Sequence, residues 1–194
     1  MAIHSHADRA GAPMMHGDLM SEVLGQLAAQ AAAFLALLLG ASAAHKWMRW
    51  RDSMRAVHEF AGVPRRGASA ALIVVGLAEI AAAVLLEGAN RAAGAGLAAV
   101  IFGIYLALML RALASGRRNV DCGCSFGAGR HRLGPFEVSR NALLVLLALL
   151  VAGEAGGVHT PLLSRWLAAA ALLALYGALD QVMSLQPMRR AEVA

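Results

Sequence analysis

Apolar stretches long enough to cross a bilayer alternate with short polar segments along the whole chain. They run over about 23–44, 68–86, 92–114, 136–153 and 161–183. A helix rises about 1.5 Å per residue, so roughly 20 apolar residues span the hydrocarbon core. The pattern predicts an all-α fold, a polytopic membrane protein built as a bundle of about five transmembrane helices, a four-helix core plus one. Residues 1–21 read as a polar N-terminal tail, 22–186 as the bundle and 187–194 as a C-terminal tail.

Each stretch carries its own punctuation. Gln26 and Gln30 lie four apart in the first and share a helical face, which is expected to look into the bundle. Its end, Gly40-Ala41-Ser42-Ala43-Ala44, has the small residues of a signal-peptidase site, but the apolar run exceeds a usual signal h-region, so a retained span is expected. Residues 46–60 are suited to a helix lying on the membrane surface, with Trp47 and Trp50 at the interface. Glu79 falls near the middle of the second span. Gly94, Gly96 and Gly103 offer close packing in the third, and Gly116 suits a helix C-terminus. Pro135 fits the first position of the fourth helix. The apolar part of that helix is short, 142–152, which places Glu137, Arg140 and Asn141 at the interface. Thr160 suits an N-cap for the fifth span, and Asp180 reads as a helix-end residue.

Composition agrees with a membrane origin for this pattern. Charged residues make up 15% of the chain against about a quarter in soluble domains, and mean hydropathy is +0.62. The net charge of +5 comes almost wholly from arginine and lies beside the apolar blocks. Such placement marks topology, and without an aromatic-interleaved basic patch it does not predict nucleic-acid binding. The first loop carries Lys46, Arg49, Arg51, Arg55, Arg65 and Arg66. The third carries Arg117, Arg118, Arg130 and Arg132, edged by Arg111 and Arg140, while Arg91 and Arg165 merely edge the second and fourth. The positive-inside rule then puts loops one and three and the C-terminus in the cytoplasm and the N-terminal tail outside.

The two cysteines, Cys122 and Cys124, lie one residue apart in the third loop. They can close a very small disulfide ring, strained and therefore readily reduced. Gly123 permits the tight backbone, and Arg117, Arg118 and Arg130 favour the reactive thiolate. That is the pattern of thiol–disulfide exchange. With His131 the same cysteines offer three soft ligands, and the tail adds His4, His6, Met14, Met15, His16 and Met20, so a small metal transporter is a second reading. Inert cysteines in a glycine-rich turn are the third. No resident metal site and no cofactor is expected, since Cys-x-Cys alone is not a zinc signature. Glu79 is a candidate because an ionisable group at mid-membrane is costly: it either relays a proton, pairs with an arginine, or sits as a hydrogen-bonded acid. Arg140 and Asn141 are expected to support the cysteine loop from the start of the fourth helix.

Several segments together resemble the MauE family of methylamine-utilisation membrane proteins, which are related to DoxX-like membrane proteins. They are His45-Lys46-Trp47, Phe60-Ala61-Gly62-Val63-Pro64, Ala78-Glu79-Ile80, Asp121-Cys122-Gly123-Cys124-Ser125-Phe126-Gly127, and Ser139-Arg140-Asn141-Ala142-Leu143-Leu144. The family pattern, Cys-x-Cys-Phe-Gly then Arg-Asn-x-x-Leu, is interrupted here by Ser125. The resemblance implies an accessory factor for maturation, processing or transport of the methylamine dehydrogenase small (beta) subunit. Its implied partner is a MauD-like thioredoxin-fold protein, with Cys122 and Cys124 as the redox pair. A general DoxX-like thiol oxidoreductase is the alternative. The implied substrate is periplasmic, whereas charge counting puts the cysteines in the cytoplasm, so these two expectations oppose each other.

Overall fold

The computed structural model describes residues 16–62, 64–88, 90–116, 133–154 and 161–191. Among these, every regular element is a helix: α1 (His16–Met48), α2 (Trp50–Ala61), α3 (Arg65–Glu87), α4 (Arg91–Ala114), α5 (Pro135–Gly153) and α6 (Leu162–Ala191). Five of them, all but α2, are long and apolar enough to cross a membrane, as the hydropathy pattern predicts. Helices are the form the bilayer demands, because they satisfy each backbone polar group within the segment.

The core is assembled from small residues. α1 packs on α3, α4 on α5, and α3 on α4, while α6 lies along α1 at the edge. Ala29, Ala33, Ala82, Ala95, Ala98 and Ala148 are fully buried, with Leu35, Leu39 and Leu86 filling between them. Lipid tails are as apolar as leucine, so burial alone does not drive helices together there; close approach over small side chains does. The larger apolar residues point outward, among them Val74, Val84, Leu143, Leu150, Leu163 and Leu167.

At Gly94, α4 runs close against the end of α3. A Cβ there would lie 2.4 Å from the Leu86 backbone nitrogen, whereas at Gly96 or Gly103 it would meet nothing within 4 Å. Of the three glycines that the sequence offers for packing, only Gly94 is used so. Replacing it by alanine is expected to cost about 1–3 kcal/mol, because backbone must shift, and Gly103→Ala to cost nothing measurable. Thermal unfolding of the detergent-solubilised variants checks this; equal stability would remove the close approach as a determinant.

Ends follow local chemistry. Asn90 caps α4 by accepting from the Ala93 nitrogen at 3.2 Å. Gly116, one residue past the Ser115 cap, takes φ 70°, and Gly62 closes α2 at φ 69°. Pro135 starts α5, and the Glu137 carboxylate accepts from the Gly134 nitrogen at 2.8 Å. α2 exposes Arg51, Asp52, Arg55 and His58 and half-buries Trp50, Met54 and Val57 against α3. At the opposite end, Arg165 of α6 pairs with Glu87 of α3.

The expectation that Gln26 and Gln30 look into the bundle fails. Gln26 is exposed and Gln30 only half-buried, since the buried face of α1 runs through Ala28, Ala29, Ala32, Ala33 and Leu35. At the start of the fourth span Arg140 and Asn141 turn into the bundle, and of Glu137, Arg140 and Asn141 only Glu137 serves the helix start.

Candidate functional site

The site grows from one buried carboxylate. Glu79 sits on α3 with 0% exposure, its neighbours Ala78 and Leu77 giving no polar help along the helix. Its partners come from two other helices. On α1, Ser42 and Lys46 are four residues apart and so share a face. The Lys46 Nζ donates to Glu79 Oε1 at 2.7 Å, and the Ser42 hydroxyl donates to the same oxygen at 3.0 Å. Lys46 also donates to Ser42 Oγ at 2.6 Å. From α4 the Tyr105 hydroxyl donates to Glu79 Oε1 at 2.7 Å, and the ammonium lies 5.4 Å from the Tyr105 ring centre. Three donors thus converge on one oxygen, while Oε2 is buried without a hydrogen-bond partner among the described residues.

The pair answers the question raised by a charge at mid-span. The partner of Glu79 is Lys46, not an arginine. Taking both charges out of water costs several kcal/mol each, which only a close, well-bonded pair offsets. Lys46 therefore does not act as a free topology charge; it is drawn inward.

A second pair lies one helix further on. Arg140, in the second turn of α5, bonds Asp180 of α6, and its guanidinium stacks 5.2 Å from the Tyr176 ring centre. Asp180 is buried, well before the end of α6 at Ala191, which corrects its reading as a helix-end residue. The adjacent Asn141 donates from Nδ2 to the Phe102 carbonyl of α4 at 2.7 Å. A buried amide–backbone bond of this kind fixes α5 against α4 in one register. Neither side chain caps α5; both tie helices together.

Next to the second pair is a cavity of about 20 Å³, lined by Leu38, Leu39, Phe102 and Leu144 together with Ser42, Tyr105, Arg140, Asn141 and Tyr176. The candidate residues Glu79, Arg140 and Asn141 are thus brought to one level of the bundle, joined by Lys46, Ser42, Tyr105, Tyr176 and Asp180. The i, i+4 spacing of Ser42 and Lys46 was the one local signal for part of that set. Cys122 and Cys124 lie outside the described residues, as do His4, His6, Met14, Met15, His131 and Thr160. The flanks of the cysteine segment do meet: Met109 and Ala112 near the end of α4 pack with Leu133, just before α5.

Among known families, the model described as methylamine utilisation protein MauE matches residues 24–153. No curated protein and no solved structure matches the chain. The matched region holds most of α1, all of α2 to α5, the Lys46–Glu79 pair and the Cys-Gly-Cys segment, while α6 lies wholly outside it. With two thirds of its length so matched and five helices fit to cross a bilayer, the chain belongs to the MauE family of methylamine utilisation membrane proteins.

Proposed function

We propose that this protein is an accessory factor for maturation of the methylamine dehydrogenase small subunit and that it works by thiol–disulfide exchange at Cys122 and Cys124. The observation that carries the reading is the family match, which runs across the Cys-Gly-Cys segment and the helices that precede and follow it in sequence. The chemistry needs nothing beyond the pair and a thioredoxin-fold partner of the MauD kind. A thiolate of one protein attacks a disulfide sulfur of the other and a mixed disulfide forms. The second cysteine then displaces it, so that two electrons and two protons pass between the proteins. Arg117, Arg118 and Arg130 around the pair favour the attacking thiolate.

Orientation enters here. Lys46 and Arg140 are neutralised within the bundle, but loop one keeps four outward basic residues, Arg49, Arg51, Arg55 and Arg66, with Arg65 beside them in sequence, and this charge bias favours a cytoplasmic third loop. In this reading the pair faces the cytoplasm of a bacterial inner membrane, and its electrons reach a periplasmic subunit through the partner.

Replacing both cysteines by serine in cells that make the dehydrogenase is expected to abolish accumulation of the small subunit, seen by immunoblot, while the large subunit and the membrane protein itself persist. Small subunit at its usual level with its disulfides intact would remove the redox role. Labelling the two thiols with a membrane-impermeant reagent from each side reads the orientation: modification only from the cytoplasmic side is expected.

A further inference from the structure

α2 turns its apolar face to the protein and an arginine face outward. The chain reverses at Gly62, which takes φ 69°, and α2 packs on α3. Trp50, Met54 and Val57 recur at helical spacing and are half-buried there. Arg51 and Arg55, four residues apart and so neighbours on the helix surface, are exposed. Arg49 just before α2 and Arg66 in the first turn of α3 are exposed as well. Residues 49–66 hold five arginines and no lysine, against two carboxylates, Asp52 and Glu59. Asp52 lies 3.9 Å from Arg55, with both side chains more than two-thirds exposed, so solvent screens that pair. Arg49, Arg51 and Arg66 make no ion pair among the described residues.

These arginines stand at the ends of membrane spans. The apolar helices Leu19–Met48 and Arg66–Glu87 flank them, so Arg49 directly follows one span and Arg66 opens the next. Trp47 and Met48, beside Arg49, are 49% and 86% exposed, which is apolar surface suited to acyl chains at the edge of the hydrocarbon. We propose that Arg49, Arg51, Arg55 and Arg66 form a binding surface for the phosphate headgroups of anionic phospholipids, in the leaflet on the side of the first and third loops.

The residue type and its setting both favour this ligand. Topology is served by lysine as well as by arginine. Arginine alone offers a planar fork that meets phosphate with two parallel N–H donors. The chain's one lysine, Lys46, is drawn inward to Glu79 and takes no part. Packing of α2 on α3 holds Arg51 and Arg55 side by side, so little order is lost when a headgroup binds. A soluble acidic partner would answer the arginines and leave Trp47 and Met48 uncovered. A phospholipid answers both, with its headgroup on the guanidinium groups and its chains on the apolar pair. Clusters of basic side chains beside a span attract anionic lipid in this way. The proposal does not rest on the cysteines and fails independently of them.

Titration of phosphatidylglycerol or phosphatidylcholine into the full-length protein in detergent, read by native mass spectrometry, tests it. Phosphatidylglycerol is expected to bind the more tightly, and its binding to weaken as salt is raised. Arg51→Gln with Arg55→Gln is expected to weaken phosphatidylglycerol binding about twenty-fivefold, roughly fivefold for each arginine near a charged lipid surface, and to leave phosphatidylcholine binding unchanged. Arg49→Gln with Arg66→Gln, on the two flanks, should do the same and keeps the test should the first variant fail to fold. Equal binding of the two lipids, or unchanged phosphatidylglycerol binding in both variants, would overturn the proposal. So would displacement of the lipid by inorganic phosphate or by a polyglutamate peptide, which would assign the surface to a soluble anion or to an acidic protein.

Discussion

Glu79→Leu is expected to destabilise the folded bundle by about 3–5 kcal/mol, the cost of removing one partner from a buried ion pair. The reason lies in what stays behind. Lys46 is 7% exposed and keeps only Ser42 and the Tyr105 ring, neither of which carries a compensating charge. An ammonium stranded at that depth must draw in water or pull α1 outward. The converse change, Lys46→Met, leaves the carboxylate its two hydroxyl donors, Ser42 and Tyr105, so its cost is expected to be smaller. Combining Lys46→Met with Glu79→Leu removes both charges and is expected to recover most of the loss, since a buried pair replaced by apolar groups is often neutral in stability. The double-mutant cycle, read by thermal unfolding in detergent, isolates the coupling between the two sites. Single and double variants of equal stability would mean that the pair does not hold the bundle.

The fold was legible and most of the site was not, for a physical reason that Glu79 illustrates. Hydropathy is a local property, and the bilayer forces each long apolar run into a helix, so the five spans can be read residue by residue. A carboxylate at mid-span is equally visible. Its partners are not, because they lie 33, 37 and 26 residues away and meet only when α1, α3 and α4 assemble. Lys46 was further disguised by standing at the end of an apolar run, where a lysine ordinarily marks the cytoplasmic side. Asp180 was disguised by the fading apolar pattern around it, whereas α6 runs on to Ala191 and carries it inward. The glycines show the same limit: Gly94, Gly96 and Gly103 read alike, and only tertiary contact singles out Gly94.

The Arg140–Asp180 pair poses a sharper case, because its two halves differ in standing. Arg140 lies within the family-matched region, and its counter-ion comes from α6, which lies outside it. α6 is otherwise lightly held: it packs along α1, exposes most of its apolar side chains, and pairs at its far end through Arg165 and Glu87. Asp180→Leu is therefore expected both to cost about 3–5 kcal/mol and to loosen α6 selectively, since guanidinium cannot shed its charge as a carboxylate can. Hydrogen exchange by mass spectrometry separates these effects: α6 backbone amides should exchange faster while those of α3 and α4 keep their protection. The stacking of Arg140 on Tyr176 softens the loss by about 0.5–2 kcal/mol, so Tyr176→Leu alone is expected to cost no more than that. Exchanging the charges, Arg140→Asp with Asp180→Arg, restores the pair but abandons that stacking, and should regain only part of the stability. If Asp180→Leu left α6 as protected as in the parent protein, packing on α1 would suffice to hold it, and Arg140 would draw its compensation from elsewhere in the bundle.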